Sequence, residues 1–166
     1  MRIHLPDPQV KIIRYFWQMK ILMVCLGNIC RSPMAEGILK QLTTDTHPGW
    51  TIDSAGTGAW HVGERPDRRA IETCDRNGVN IRDQRARQIR SHDIDEYDLI
   101  LAMDRSNLED IHQIAGRSRQ TDKIKLITTF GATGYADVPD PYYDGSFDEV
   151  FALLDTLCRE IIHTLA

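Results

Sequence analysis

Two side chains with complementary chemistry, Cys25 and Arg31, are separated by only five residues in the stretch VCLGNICRS. A deprotonated cysteine is a strong nucleophile, and a guanidinium group can hold two phosphoryl oxygens at once. Gly27, between them, lets the backbone approach a ligand closely because it has no Cβ. This pattern is typical of a loop that binds an anionic group above a cysteine.

The stretch lies between an apolar run and a helix-forming segment. Residues 20–25 predict a strand buried on both faces, and Pro33 opens a segment with apolar residues four apart on one helical face. A loop that enters a helix N-terminus directs several backbone N–H groups at one point, where the helix dipole favours an anion. These donors and Arg31 would stabilise a thiolate. We therefore predict a phosphate-binding loop with Cys25 as its nucleophile.

Three other kinds of site fit the stretch less well. A Walker-type loop ends in Gly-Lys-Ser/Thr, whereas this one ends in Cys-Arg-Ser. A zinc knuckle needs a second close pair of cysteines or histidines, and Cys74 and Cys158 each stand alone. A Cys-x-x-Cys redox centre has two intervening residues, whereas four separate Cys25 from Cys30. The remaining alternative is that Cys25 and Cys30 are two buried cysteines of an ordinary loop, with no catalytic role.

Phosphoryl transfer from an oxygen also needs an acid that protonates the leaving group. Asp140 is the candidate, since it lies in a predicted loop over 138–145 and Pro139 and Pro141 restrict the backbone on either side of it. Tyr142 and Tyr143 follow and could flank a flat substrate group. An Asp-Pro surface turn is the alternative, but in a chain with the cysteine loop the sequence favours an acid.

The remaining segments predict an α/β domain. Strands are predicted at 20–25, 50–56, 97–103 and 123–128, with helices from residue 33, over 65–78, after residue 104 and over 146–165. Alternating strands and helices favour a parallel sheet that is covered on both faces. Asp104 follows the third strand, where α/β sheets place functional groups, and is predicted to order the nearby loops.

Composition narrows the class of protein. The chain has 166 residues and a net charge of −4, which gives no general electrostatic reason to bind nucleic acid. Its four irregularly spaced cysteines do not form a disulfide framework, so we expect a reducing, cytoplasmic setting. Charged residues interrupt the apolar stretch 12–26, which is too short to span a bilayer. We predict a domain over 19–166 and an N-terminal extension, outside the fold, over 1–18.

Four segments, VCLGNICRSPMAE, DSAGTGAW, MDRSNL and DPYYDG, resemble the low-molecular-weight protein tyrosine phosphatases in their order and separation. The likeness covers about residues 19–165. It implies a four-stranded parallel sheet flanked by helices, no metal or other cofactor, and hydrolysis of phosphotyrosine in proteins. It also implies that tyrosine-phosphorylated proteins are the partners, with a tyrosine kinase as a further candidate, and that the chain is a monomer or associates weakly with itself.

The resemblance assigns roles to single residues. Cys25 would form a phosphocysteine, Arg31 would bind the phosphoryl oxygens, and Asp140 would act first as acid and then as base. Asn28 would hold the loop in shape through Ser54 and its neighbours. The other site residues would donate backbone N–H groups to the phosphate, stabilise the thiolate or form the walls of the slot, and these are Leu26, Gly27, Ile29, Cys30, Ser32, Trp60 and Tyr142.

Three further features modify this assignment. The resemblance implies that Cys30 can form a reversible disulfide with Cys25 on oxidation. Gln84 lies where several family members have a histidine, and because glutamine carries no charge we expect the loop to be held less tightly. The arginines in a basic cluster are predicted to form a solvated face, with a docking patch for an acidic tail as the alternative, and these are Arg82, Arg85, Arg87 and Arg90.

Three rival functions remain to be weighed. A thioredoxin-coupled arsenate reductase shares the fold and the loop but needs a cysteine relay, and no cysteine lies between Cys74 and Cys158. Phosphoarginine phosphatases tend to have threonine at the position of Ile29. A module that only binds phosphotyrosine would need neither Cys25 nor Asp140. The sequence therefore favours a metal-free phosphatase that acts on phosphotyrosine in proteins.

Overall fold

The computed structural model describes residues 18–116 and 121–165. Its centre is a four-stranded sheet in the spatial order β2-β1-β3-β4, in which every neighbouring pair is parallel. The strands are β1 (Lys20–Cys25), β2 (Thr51–Gly56), β3 (Leu99–Ala102) and β4 (Ile124–Leu126). The predicted α/β fold with a four-stranded parallel sheet is confirmed.

Helices connect the strands and follow the last of them. They are α1 (Arg31–Thr43), α2 (Arg68–Arg76), α3 (Asp93–Glu96), α4 (Arg105–Ala115), α5 (Pro141–Asp144) and α6 (Phe147–Leu165), with a 3₁₀ turn at Ile127–Phe130. Among the described residues, no helix is both long enough and apolar enough to cross a membrane.

Side chains of β1 alternate between two apolar cores, as the period of a strand requires. Ile21 and Met23 join the core beneath α1 and α6, whereas Leu22 and Val24 join the core beneath α4. All four side chains are fully buried. Because both faces of the sheet are covered, the run is apolar without interruption, which is the pattern that predicted it.

The position of β1 in the sheet determines where the loop after it lies. β1 pairs with β2 on one side and with β3 on the other, so its loop emerges between the loops that follow its two neighbours. In open parallel sheets, ligands bind in the crevice at this point, beyond the carboxyl ends of the strands. Residues far apart in sequence can therefore reach Cys25.

Several predicted elements differ from the structure in length or kind. The fourth strand, predicted over 123–128, is only the three residues of β4, because β4 pairs with one short strand, β3, over three residues. The third strand, predicted over 97–103, contains only β3, and the helix predicted over 65–78 contains only α2. The segment 138–145 was predicted as a loop and contains the one-turn helix α5. Asp140 caps α5 and Pro141 starts it, while Gly145 ends it in the left-handed conformation.

The residue before β1 already makes a hydrogen bond to the sheet. The carbonyl oxygen of Met19 accepts from the backbone N–H of Thr51, on β2, at 2.8 Å. Residues 1–17 lie outside the described residues. The extension predicted over 1–18 therefore stays a prediction.

Candidate active site

The loop after β1 surrounds the thiol of Cys25. Cys25 is the last residue of β1 and is 3% exposed, and α1 begins at Arg31 after five loop residues. The Sγ atom of Cys25 accepts a hydrogen bond from the backbone N–H of Asn28 at 3.3 Å and lies 3.0 Å from the Oγ atom of Ser32. The N–H of Asn28 donates to the sulfur, and the Ser32 hydroxyl lies close enough to donate to it as well.

Asn28 holds the loop in an unusual backbone shape. Its φ of 56° makes it a non-glycine residue in the left-handed region, which asparagine tolerates better than most residues. Its amide nitrogen donates to Ser32 Oγ and Ser54 Oγ, both at 2.9 Å, and its Oδ1 accepts from the backbone N–H of Arg87 at 2.9 Å. Three segments of chain are therefore joined through one buried side chain.

Glu36, on α1, extends this network and was not identified from the sequence. The Oγ atom of Ser54 donates to Glu36 Oε2 at 2.5 Å, and Lys40 donates to Glu36 Oε1 at 2.5 Å. Glu36 is 3% exposed, and its burial raises the pKa of its carboxyl group, although the hydrogen bonds from Lys40 and Ser54 partly oppose that rise. No local signal in the sequence marks Glu36, because its neighbours one turn away on α1, Ser32 and Lys40, are polar as on a solvent-facing side of a helix.

Close backbone packing with β2 also fixes the loop. Thr57 N donates to the carbonyl oxygen of Cys25, and Gly58 N donates to that of Leu26, both at 2.9 Å. A Cβ at Gly56 would lie 2.7 Å from the same Leu26 oxygen and 3.1 Å from the backbone nitrogen of Asn28. Only glycine at position 56 allows the two segments to approach in this way.

Arg31 is buried and held by groups from two other loops. Its NH1 donates to Asp104 Oδ2 at 2.6 Å and to the Val138 carbonyl oxygen at 3.1 Å, and its NH2 donates to Asp140 Oδ2 at 3.3 Å. Burial by itself lowers the pKa of the guanidinium group, but Cys25, Asp104 and Asp140 outweigh burial and raise it. Arg31 is therefore a fixed cation beside the sulfur.

Asp104 has a second contact that fixes its own direction. Its Oδ1 accepts a hydrogen bond from Asn107 N at 2.8 Å and caps α4, so Oδ2 is left to face Arg31. Asp104 thus connects the start of α4 to Arg31, and its predicted role in ordering the nearby loops stays a prediction.

A cleft of about 330 Å³ opens above Cys25. Asp140 also lines it, with Oδ1 accepting from Tyr142 N at 3.1 Å. Trp60 and Tyr142 are exposed and form parts of its wall. The residues that line the cleft are Cys25, Leu26, Gly27, Ile29, Cys30, Arg31, Trp60, His61, Asp140, Tyr142 and Tyr143. His61 is the lining residue that the sequence did not indicate.

The second cysteine of the loop differs from Cys25 in its surroundings. Burial, followed by the charge of Asp67, raises the pKa of the Cys30 thiol well above its usual range, so this thiol stays protonated at neutral pH. Both cysteines are free and buried. The disulfide between them stays a prediction.

Gln84 and Arg87 each hold a segment near the loop, and the looser loop expected from the uncharged Gln84 stays a prediction. Gln84 donates to the Pro33 carbonyl oxygen at 3.1 Å, whereas Arg87 N donates to Asn28. The Arg87 side chain is not solvated as predicted, because it donates to Asp53 at 3.0 Å and to Asp93 at 3.1 and 3.2 Å. These carboxylates hold the segment that supports Asn28, so the prediction for this member of the basic cluster was wrong.

One group of side chains has ligand atoms close enough to hold a metal ion, as far as the described ranges extend. The atoms of His92, Asp93 and Glu96 lie within 4.8 Å of one another. Asp93 already accepts from Arg87 and from Arg90 N at 2.7 Å, and none of the three residues lines the cleft. The group therefore reads as part of an ion-pair network.

Comparison with known proteins gives a consistent result. Residues 20–166 match the family model described as low molecular weight phosphotyrosine protein phosphatase. The low molecular weight protein-tyrosine-phosphatase YfkJ of Bacillus subtilis is 40% identical over 147 residues, which cover 87% of this chain and 94% of that protein. The low molecular weight phosphotyrosine protein phosphatase of Sus scrofa is 37% identical over 147 residues, with 86% and 92% covered.

Solved structures agree with the sequence matches. The crystal structure of YfkJ superposes with a TM-score of 0.85 at 39% identity and covers 89% of this chain and 94% of its own. The structure of a Drosophila arginine phosphatase superposes with a TM-score of 0.81 at 33% identity, covering 88% and 97%. With a family model that spans nearly the whole chain and relatives above 30% identity, this protein is an enzyme that belongs to the low molecular weight phosphotyrosine protein phosphatase family.

Proposed function

We propose that this enzyme hydrolyses phosphotyrosine in proteins through a phosphocysteine intermediate. The observation that carries the proposal is the convergence of three groups on one cleft. Cys25, Arg31 and Asp140 all line it, and the Asp140 carboxylate lies 3.3 Å from the Arg31 guanidinium group. A nucleophile, a cation and an acid in this arrangement supply the parts that phosphoryl transfer requires.

In the first step, the thiolate of Cys25 attacks phosphorus and the bond from phosphorus to the tyrosine oxygen breaks. The proton of the Asp140 carboxylic acid passes to that oxygen, so tyrosine leaves as a neutral phenol. The loop N–H groups and Arg31 bind the phosphoryl oxygens as charge develops on them. The phosphoryl group would take the Arg31 NH2 donor that Asp140 holds, which frees the carboxyl group to carry its proton.

In the second step, Asp140 is a carboxylate and acts as the base. It removes a proton from a water molecule that attacks phosphorus, and the bond from sulfur to phosphorus breaks. The thiolate is regenerated together with inorganic phosphate. Ser32, with Oγ 3.0 Å from Sγ, stabilises the leaving thiolate.

The walls of the cleft favour an aryl substrate. Trp60 is 73% exposed and Tyr142 43%, so both present aromatic surface that a phenyl ring can contact. Ile29 adds apolar surface at the base. Phosphoarginine is the second candidate substrate, because a structural neighbour is named an arginine phosphatase.

Turnover of three substrates tests the proposal: p-nitrophenyl phosphate, a phosphotyrosine peptide and a phosphoarginine peptide. We expect the phosphotyrosine peptide to be hydrolysed with the higher kcat/KM of the two peptides. Cys25→Ser should abolish turnover yet still bind phosphate, and acid quenching of the wild type should trap phosphate on Cys25. Hydrolysis of phosphoarginine alone would overturn the substrate assignment, and an active Cys25→Ser variant would overturn the mechanism.

The proposed mechanism also bears on the setting and the partners of the enzyme. A thiolate nucleophile works only while the cysteine is reduced, which suits a cytoplasmic setting. The proposed partners are tyrosine-phosphorylated proteins and a kinase that modifies the same substrates. The chain itself is proposed to be a monomer or to associate weakly.

A further inference from the structure

Arg69, on the first turn of α2, contacts two parts of the site at once. Its Nε and NH2 donate to the carboxylate of Asp67 at 3.0 and 2.9 Å, and its NH1 donates to the carbonyl oxygen of Tyr142 at 3.1 Å. The guanidinium carbon lies 5.3 Å from the centroid of the Tyr142 ring and 4.7 Å from that of Phe147. The group is thus fixed on one side by a carboxylate and on the other by aromatic rings.

Asp67 connects Arg69 to the phosphate-binding loop. The backbone N–H of Asp67 donates to the carbonyl oxygen of Ile29 at 2.8 Å, while its side chain caps α2 by accepting from Arg69 N at 2.8 Å. The hydrogen bond from Arg69 is the leading cause that lowers the pKa of the Asp67 carboxyl group. Asp67 is therefore anionic at neutral pH, and the Asp67–Arg69 pair is anchored to the loop that holds Cys25.

Tyr142 connects Arg69 to the acid. Its carbonyl oxygen accepts from Arg69, and its backbone N–H donates to Asp140 Oδ1 at 3.1 Å. α5 has only four residues, and a helix of one turn does not hold its own shape in water. The direction of the Asp140 carboxyl group therefore depends on contacts that α5 makes with the rest of the protein.

We propose that Arg69 is a positioning residue that fixes α5, and with it Asp140, relative to the phosphate-binding loop. This inference rests on the proposed function, because the proposed function assigns Asp140 as the acid. The connection runs from Ile29 through Asp67 and Arg69 to Tyr142. Arginine is required because one planar group makes two bonds to Asp67, one to a carbonyl oxygen and two ring contacts, which lysine cannot do together.

Arg68 provides the matched control. It is the adjacent arginine on α2, its side chain is 90% exposed, and its ion pair is with Glu72 on the same helix. Removing the guanidinium group of Arg68 changes the charge of α2 by the same amount as removing that of Arg69. The contact between Arg69 and α5 is kept in that variant.

The experiment compares wild type with Arg69→Ala, Arg69→Lys and Arg68→Ala on p-nitrophenyl phosphate and phenyl phosphate. The acid matters little for nitrophenolate, a good leaving group, and greatly for phenol, a poor one. We expect Arg69→Ala to lower kcat/KM for phenyl phosphate about 10- to 100-fold, which is part of what a general acid contributes. The same variant should change kcat/KM for p-nitrophenyl phosphate by less than about threefold. Arg69→Lys should fall between, and Arg68→Ala should match wild type.

The pH profile of kcat/KM provides a second readout. With phenyl phosphate, a general acid gives wild type a limb in which kcat/KM falls as pH rises, and this limb should flatten in Arg69→Ala. Equal losses on both substrates, or no loss on phenyl phosphate, would overturn the inference, with thermal unfolding confirming that the variant folds. Failure of the proposed function appears differently, as a wild type whose turnover does not depend on Cys25.

Discussion

Replacing Asn28 tests whether this side chain holds the phosphate-binding loop. Asn28→Ala removes three hydrogen bonds of 2.9 Å, to Ser32, Ser54 and the backbone N–H of Arg87. The two serines keep other partners, since Ser32 lies 3.0 Å from Cys25 Sγ and Ser54 donates to Glu36. The N–H of Arg87 has no such substitute among its described contacts.

The magnitude follows from these contacts. Each of the two bonds to serine contributes about 0.5–1.5 kcal/mol, and an unsatisfied buried N–H costs about 1–3 kcal/mol. Alanine at position 28 would also be strained by about 1–2 kcal/mol, because the φ of 56° is a left-handed conformation that asparagine tolerates better. We therefore expect Asn28→Ala to lower the free energy of unfolding by about 3–8 kcal/mol, with the upper part of that range reduced if the contributions are not additive.

Asn28→Gly is the matched variant, because glycine loses the same hydrogen bonds but adopts the left-handed conformation without strain. Urea unfolding at neutral pH should show Asn28→Gly to be more stable than Asn28→Ala by about 1 kcal/mol. Turnover of p-nitrophenyl phosphate should fall in both, since the loop N–H groups lose their fixed direction. An alanine variant destabilised by less than about 1 kcal/mol, or a glycine variant no more stable than it, would refute the reasoning.

Three further substitutions test other contacts of the site. Gly56→Ala should reduce kcat/KM and destabilise the fold by about 1–3 kcal/mol, because its Cβ would lie 2.7 Å from the Leu26 carbonyl oxygen; wild-type urea midpoints and kinetics would contradict this. Asp104→Asn should raise KM about 10- to 100-fold, the equivalent of one charged hydrogen bond to Arg31, and an unchanged KM would contradict that. Glu36→Gln should alter how stability depends on pH, as measured by urea unfolding from pH 4 to pH 8.

The sign of the Glu36 effect follows from its raised pKa. The folded protein holds the carboxyl proton more tightly than the unfolded chain, whose glutamate titrates at about 4.3. As pH rises from that value through the higher folded pKa, the wild type loses stability relative to Glu36→Gln, which does not titrate there. A difference between the two proteins that stays constant over this range would contradict the assigned burial effect.

The sequence by itself identified the groups that we propose carry out the chemistry. Cys25, Arg31 and Asp140 were predicted because a nucleophile, a cation and an acid are recognisable by residue type, and because the first two lie on one short loop. The buried strand before the loop and the helix after it were predicted by apolar runs, since local periodicity reflects which face of an element is buried. These features depend on residues that are close in sequence.

Only the tertiary structure decided what holds those groups in place. Arg87 is 59 positions from Asn28, Asp104 is 73 from Arg31, and Tyr142 is 73 from Arg69. No local pattern marks such pairs, because a glutamate on a helix or an arginine in a basic cluster has the same sequence signal whether it faces solvent or a buried partner. The order of strands in the sheet brings their loops to one edge, and that order arises from packing between distant segments.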